Sequence, residues 1–235
     1  RRGPSCPKEN GPDFDFGASP VIATLSDGRD VIVAGQKSGD VHCLDANSGD
    51  LIWRTKVGQG SALGGVHWGI SVSKKHVVVP IADPGSPRSG YQPTPGVYAL
   101  DLNTGEVIWT HKAVRGCTPE ANEQPRTRRR GARNRWPSCP RQYAFSAAAS
   151  STPSLALASA LNGHTMAFDL SDGTVLWEDN TVRSYNTVNG VEAHGGAIDS
   201  PGAQIMDDML FVQSGYGMFG QMPGNVLLAY RLQSP

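Results

Sequence analysis

Three segments of the chain repeat one frame, small-x-Asp-x-x-x-Gly-x-x-x-Trp: Cys43 to Trp53, Ala99 to Trp109, and Ala167 to Trp177. In each copy the Asp and neighbouring Ser, Thr or Asn side chains can bond the backbone of a tight turn, and the Gly accepts positive φ. The pairs Leu51-Ile52, Val107-Ile108 and Val175-Leu176 then read as the start of a second strand. One hairpin cannot bury a Trp alone, so neighbouring copies must stack to share a core. The Trp residues lie 56 and 68 positions apart. A compact propeller blade takes about 40–45 residues, so each interval fits one blade and an inserted loop. A worn fourth copy, Gly224 to Leu232, has Arg231 in place of the Asp. The expected fold is all-β, a β-propeller of about four blades, with Trp53, Trp109 and Trp177 as docking residues between blades.

The strands expected for these blades are Val21–Leu25, Asp30–Ala34, Val41–Leu44 and Leu51–Trp53, then Gly69–Val72, His76–Pro80, Gly96–Leu100 and Val107–Trp109. The third blade resumes at Ala144 with Leu155–Ala160, His164–Asp169 and Val175–Trp177. The last begins near Gly195–Asp199 and continues through Met209–Ser214 and Asn225–Leu232.

Composition narrows the function classes. Lys plus Arg and Asp plus Glu both number 21, so no global basic field is present to hold nucleic acid. No apolar run approaches the roughly 18 residues that span a bilayer. Cys43 falls in a repeat strand and reads as a small core residue. Cys6, Cys117 and Cys139 fall in Pro-rich loops. Cys117 and Cys139 flank the longest insertion and could staple it, which suits an oxidising compartment and leaves one loop Cys over. No Cys-x-x-Cys-His occurs, so no covalent c-type haem is encoded, and no Cys/His spacing reads as a zinc site. Residues 112–142 form a basic insertion, irregular or disordered, with Arg126, Arg128, Arg129, Arg130, Arg133 and Arg135 within ten positions.

The repeated frame resembles the tryptophan-docking repeat of the pyrroloquinoline-quinone (PQQ) alcohol dehydrogenases. The segments 12–20, 33–39, 64–69, 189–191, 214–217 and 222–229 resemble the polyvinyl-alcohol-dehydrogenase branch of that family. The likeness covers nearly the whole chain outside 112–142. It implies an eight-bladed propeller of which residues 1–235 look like the C-terminal half. Missing N-terminal blades, or a second copy, would complete the ring.

The resemblance also implies a site. Asp15, between Phe14 and Phe16, matches the catalytic base that takes the hydroxyl proton of an alcohol as hydride leaves carbon. A carboxylate walled by aromatic rings is partly desolvated, which suits it to proton transfer. Lys37 matches a cation, commonly Arg, that contacts the quinone oxygens. It keeps the charge and loses the bidentate geometry. His67, Trp68 and Asn225 match cofactor-facing positions, and Asp199 is a further acidic candidate. The implied cofactors are PQQ and Ca²⁺, with the metal ligands mostly outside this chain. The implied partners are a secondary alcohol such as polyvinyl alcohol and a cytochrome c as electron acceptor, in a periplasmic or secreted setting. The chain has no adjacent Cys pair, unlike many members. Two alternatives stand beside the enzyme: a non-catalytic propeller scaffold for protein–protein interaction, and an inactive fragment that lacks the full quinone site.

Overall fold

The computed structural model describes residue 9 and residues 11–83, 93–114 and 142–232. Cys6, Cys117, Cys139 and the arginine run lie outside them. The described chain is built of strands. The first antiparallel sheet runs β1 (Val21–Thr24), β2 (Asp30–Gly35), β3 (Asp40–Asp45) and β4 (Leu51–Lys56). The second runs β5 (Ser71–Ser73), β6 (His76–Ile81), β7 (Gly96–Asp101) and β8 (Val107–Lys112). The third runs β9 (Ser150–Ser151), β10 (Leu155–Ser159), β11 (His164–Asp169) and β12 (Val175–Asn180). After a small hairpin, β13 (Ser184–Asn186) with β14 (Glu192–His194), a three-stranded sheet of β15 (Ala203–Met206), β16 (Met209–Ser214) and β17 (Val226–Arg231) ends the described chain. These are successive propeller blades. Inner strand β1 meets β5, β5 meets β9, and β9 meets β15.

The registers explain the repeated frame. In blade 1, Val33 pairs with Cys43 and Cys43 with Trp53. Blade 2 aligns Val78, Ala99 and Trp109 in the same way, and blade 3 aligns Leu157, Ala167 and Trp177. The position two before the Asp must be small because its neighbour across the ladder is the Trp. In all three blades the ladder shifts register just after that small residue. Such a bulge tightens the local twist and lets the following turn close. Cys43 is fully buried here, and burial pushes its thiol pKa up to about 11, the behaviour of a core residue.

Each Trp then reaches the next blade. Trp53 Nε1 donates to the carbonyl of Leu102, and Trp109 Nε1 to that of Leu170, both at 2.9 Å. The rings lie over Gly105 and Gly173, where an added Cβ would come within 2.6 and 2.7 Å of the indoles. The frame's Gly therefore answers two demands: φ near +75°, and a flat surface for the neighbour's Trp. Trp177 meets Tyr230 edge-on, with centroids 5.0 Å apart. The turn of the worn fourth copy lies beyond the described residues.

Several details differ from the expectation: the inner strand of blade 2 is Ser71–Ser73 rather than Gly69–Val72, and the last sheet opens at Ala203 rather than near Gly195–Asp199. The fourth strands of blades 1 to 3 run three residues past the Trp, to Lys56, Lys112 and Asn180. The β13–β14 hairpin was not anticipated, although its turn holds Asn189-Gly190, with Gly190 at φ 71°, a strong local hairpin signal.

Candidate functional site

The segments that lead into the inner strands lie side by side. Ser19 bridges Gly69, Ala149 N donates to Gly69 O at 3.3 Å, and Ala148 N donates to Ser200 O at 2.9 Å. Residues just ahead of these contacts are thus delivered to one end of the blades. Asp15 belongs to the first segment, His67 and Trp68 to the second, Ser146 to the third and Asp199 to the fourth.

Lys37 joins them from the β2–β3 turn. Its Nζ lies 3.0 Å from Asp15 Oδ1 and 3.8 Å from Asp13 Oδ2, and its side chain is only 12% exposed. The backbone reinforces the pair, since Lys37 N donates to Asp15 O at 3.0 Å. Gly17 leaves the space in which they meet. A Cβ there would lie 2.9 Å from His67 O, 3.6 Å from Asp15 Oδ1 and 3.7 Å from Lys37 Cε. Asp15 Oδ2 has no bonded partner among the described residues, and the side chain is 59% exposed.

The expected aromatic wall around Asp15 is not what the geometry shows. Phe16 is 53% exposed and packs on His42, with centroids 5.6 Å apart. Consecutive residues of an extended segment project to opposite sides, so Phe16 turns toward the sheet and Asp15 toward Lys37. A cation, rather than a ring, is the carboxylate's immediate neighbour.

His67 Nδ1 is 2.9 Å from Ser146 Oγ, and its ring lies 5.0 Å from that of Trp68. Burial pushes the His67 imidazole below its ordinary pKa. Asp199 pulls it back, Lys37 adds to the downward push, and Asp15 and Asp13 oppose it. The histidine therefore lies within electrostatic reach of the three charged candidates, Asp15, Lys37 and Asp199, and of Asp13. Asp199 is 4% exposed and accepts from Ser200 N at 2.9 Å and Gln221 Nε2 at 3.2 Å. Trp68 Nε1 is buried without a hydrogen-bond partner among the described residues. An orphaned buried N–H is a donor awaiting an acceptor. Asn225 stands apart. Its carboxamide accepts from His194 N at 3.0 Å and donates to Glu192 O at 3.1 Å, so it pins the β13–β14 hairpin to the last blade.

Asp83 was not anticipated and holds the site's frame. This carboxylate is 1% exposed. It accepts from the amides of Gln59 (2.8 Å), Gly60 (3.2 Å), Gly65 (3.3 Å) and Thr94 (3.2 Å). The glycine-rich loop so gathered clasps the Lys37 turn: Ser61 N donates to Lys37 O and Val66 N to Gln36 O, each at 3.2 Å. It then leads directly into His67 and Trp68. Among the described residues, no group of three or more His, Cys, Asp or Glu converges to hold a metal ion. No helix of the described residues is long and apolar enough to cross a membrane.

A propeller with a paired carboxylate and lysine at one end of its blades is the class of protein these observations define. The chain belongs to the PQQ_2 family, described as outer membrane protein assembly factor BamB, whose sequence model matches residues 10–222. It is 40% identical over 239 aligned positions to a polyvinylalcohol dehydrogenase from Pseudomonas sp, covering 97% of this chain and 34% of that protein. It is 35% identical to a polyvinylalcohol dehydrogenase from Sphingopyxis sp. (strain 113P3), covering 90% of this chain and 30% of that one. The chain thus spans about a third of the length of the curated relatives it matches. Among solved structures, the quinohemoprotein alcohol dehydrogenase from Comamonas testosteroni superposes with a TM-score of 0.54 at 16% identity, over 86% of this chain and 29% of that one. This last likeness concerns the fold.

Proposed function

We propose that this chain provides one flank of the site of a quinoprotein dehydrogenase that oxidises alcohols, secondary ones such as polyvinyl alcohol among them. One observation carries the reading. A largely buried lysine is paired with Asp15 where four blade segments converge, and a blade scaffold has no structural need of such a pair.

The residues present fit an anionic, oxygen-rich quinone such as PQQ. Lys37 supplies a cation, Trp68 an unused N–H, and the His67–Trp68 ring pair a polarisable wall. When bound, the quinone supplies the hydride acceptor. Asp15 accepts the hydroxyl proton of the alcohol through its unpaired Oδ2, while Lys37 holds Oδ1 and so fixes the carboxylate's direction. The Lys37 charge also stabilises negative charge that develops on an oxygen beside it. His67, bonded to Ser146, and the buried Asp199 supply further polar groups from the neighbouring blade segments. Asn225 would take part only by exchanging its present bonds to the hairpin. Ca²⁺, a cytochrome c acceptor, a periplasmic or secreted setting and an eight-bladed whole belong to the same proposal by family resemblance.

The test is quinone titration in the presence of Ca²⁺, followed by dye-linked oxidation of secondary alcohols, on this chain and on a longer form that includes upstream sequence. Binding by either form supports the reading, and binding only by the longer one assigns the missing parts of the site upstream. Failure of both would overturn it and favour the scaffold. Asp15→Asn should leave quinone absorbance intact and lower turnover by about 10²–10⁴-fold; retained turnover would remove Asp15 from the role of base.

A further inference from the structure

The opposite end of the blades carries a second concavity that the alcohol-oxidising reading does not use. Strands β1, β5 and β9 run from the site to this end, where their hairpin tips gather. The cavity measures about 590 Å³, within the size range of small-molecule sites. Leu25, Leu102, Leu170 and Pro153 supply apolar wall, and Lys74, Lys75 and His76 line one side.

The polar groups on that side are unsatisfied. Among the described residues, no carboxylate lies within ion-pair distance of Lys74 or Lys75. His76 is 7% exposed, and its Nδ1 is buried without a partner. Burial, aided by Lys75, keeps that imidazole below its ordinary pKa, so it offers a neutral hydrogen-bonding edge. Lys74 sits at φ 52°, a strained backbone for a residue with a side chain, in the two-residue turn that brings both lysines to the cavity. On the other walls Asn103 Oδ1 and one oxygen of Asp169 are already engaged, and Asp169 Oδ2 is the open acceptor. Asn103 Oδ1 takes Ser26 N and Oγ, both at 2.9 Å. Asp169 Oδ1 takes Ser171 N at 2.8 Å and Ser171 Oγ at 2.6 Å. Two ammonium groups stand against the single Asp169 carboxylate, so positive charge is left in excess beside an aliphatic floor.

We infer that this cavity binds a small aliphatic carboxylate, its anionic head at Lys74, Lys75 and His76 and its hydrocarbon body against Leu25, Leu102, Leu170 and Pro153. Two ammonium groups bind a carboxylate as point charges, so the affinity depends on salt. The apolar walls give a chain of a few methylenes a place out of water. An inorganic anion lacks the second feature, and an uncharged alcohol of the same length lacks the first.

Hexanoate titrated into the isotopically labelled chain, followed by amide chemical shifts, tests this. The expected result is saturable shifts confined to residues 24–26, 74–76, 102–103, 154 and 169–171, with weaker binding as salt rises. Lys74→Gln combined with Lys75→Gln should weaken hexanoate at least tenfold while leaving the shifts of Asp15 and Lys37 in place. Those lysines are exposed turn residues, so the variant keeps the core. Hexanol, or inorganic phosphate, binding as tightly as hexanoate would overturn the inference. So would an unchanged hexanoate isotherm in the double variant. The outcome is independent of quinone binding, so its failure and that of the dehydrogenase reading are separable.

Discussion

The β2–β3 turn of blade 1 and the β10–β11 turn of blade 3 share a backbone and differ in contents. Gly39 N donates to Gln36 O at 2.9 Å in one, and Gly163 N to Ala160 O at 3.0 Å in the other, with both glycines at φ 84°. Counted from the repeat Asp, Lys37 occupies the place of Leu161. The leucine is 7% exposed and packs with Ala82 and Ala144, whereas the lysine reaches Asp13 and Asp15. Three residues on, the pattern inverts again. Asp40 pairs with Arg54 in blade 1, and His164 with Glu178 in blade 3. Backbone geometry that recurs between blades is scaffold. A side chain that departs from its counterpart is where function can be written.

The largest effect should fall on the recurring parts. Trp109→Ala removes a 7%-exposed indole, its bond to Leu170 O and its cover over Gly173. It should cost about 3–5 kcal/mol, read from the urea midpoint. Trp177→Ala should cost less, because Trp177 is only partly buried and meets Tyr230 edge-on. Equal losses at the two positions would mean that blade docking is not what the frame encodes.

Lys37→Leu imports the blade 3 residue into blade 1 and separates scaffold from chemistry directly. Stability should change by about 1 kcal/mol or less, since an exposed-partner ion pair is exchanged for apolar contact. Quinone-dependent alcohol oxidation should fall about 10²-fold, the typical loss when one electrostatic stabiliser is removed. A variant that unfolds, or one that retains full activity, would erase the functional contrast between the turns.

The blades were legible in the sequence because their determinants are local. The Asp turn, the positive-φ Gly and the Trp all fall within eleven residues of one another. The site was legible only through family resemblance, because its members come from different blades. Asp15 and Lys37 meet across 22 positions and His67 and Ser146 across 79, and no periodicity announces such meetings. Asp83 illustrates the limit. A single Asp before a Pro reads as a turn former, yet it gathers amides from 24 residues upstream. Phe16 is adjacent to Asp15 in sequence yet packs on His42, because adjacency along the chain is not adjacency in space.

The frame's glycines offer a finer comparison, since all three share φ near +75° but not their surroundings. Gly105 faces Trp53 and Gly173 faces Trp109, while Gly49 has open space where a Cβ would stand. Gly49→Ala should therefore cost only the left-handed backbone penalty, about 1–2 kcal/mol. Gly105→Ala adds the displacement of Trp53 and should cost roughly 1–2 kcal/mol more. Parallel unfolding of the two variants measures the difference, and near-identical midpoints would show that the Gly is needed for φ alone.

The smallest effect concerns the Asp40–Arg54 pair of blade 1 and is read through pH. Burial disfavours the charged form of Asp40, but bonds from Arg54 and Ser38 and the nearby Lys56 outweigh it and hold the carboxyl below its usual range. A depressed carboxylate contributes stability that is fully present above the unfolded pKa, about 3.9, and is lost as pH falls through the folded value. Arg54→Gln removes the largest favourable partner, so the folded value should rise and the loss should begin at higher pH. At neutral pH the variant should be about 0.5–1 kcal/mol less stable, a modest figure because the arginine side chain is 56% exposed and screened. Once pH has fallen below the depressed folded value, so that Asp40 is protonated in both proteins, the two stabilities should converge. A stability gap that persists unchanged into acid would mean that Arg54 acts through packing of its aliphatic stem, and that the Asp40–Arg54 pair carries no electrostatic weight.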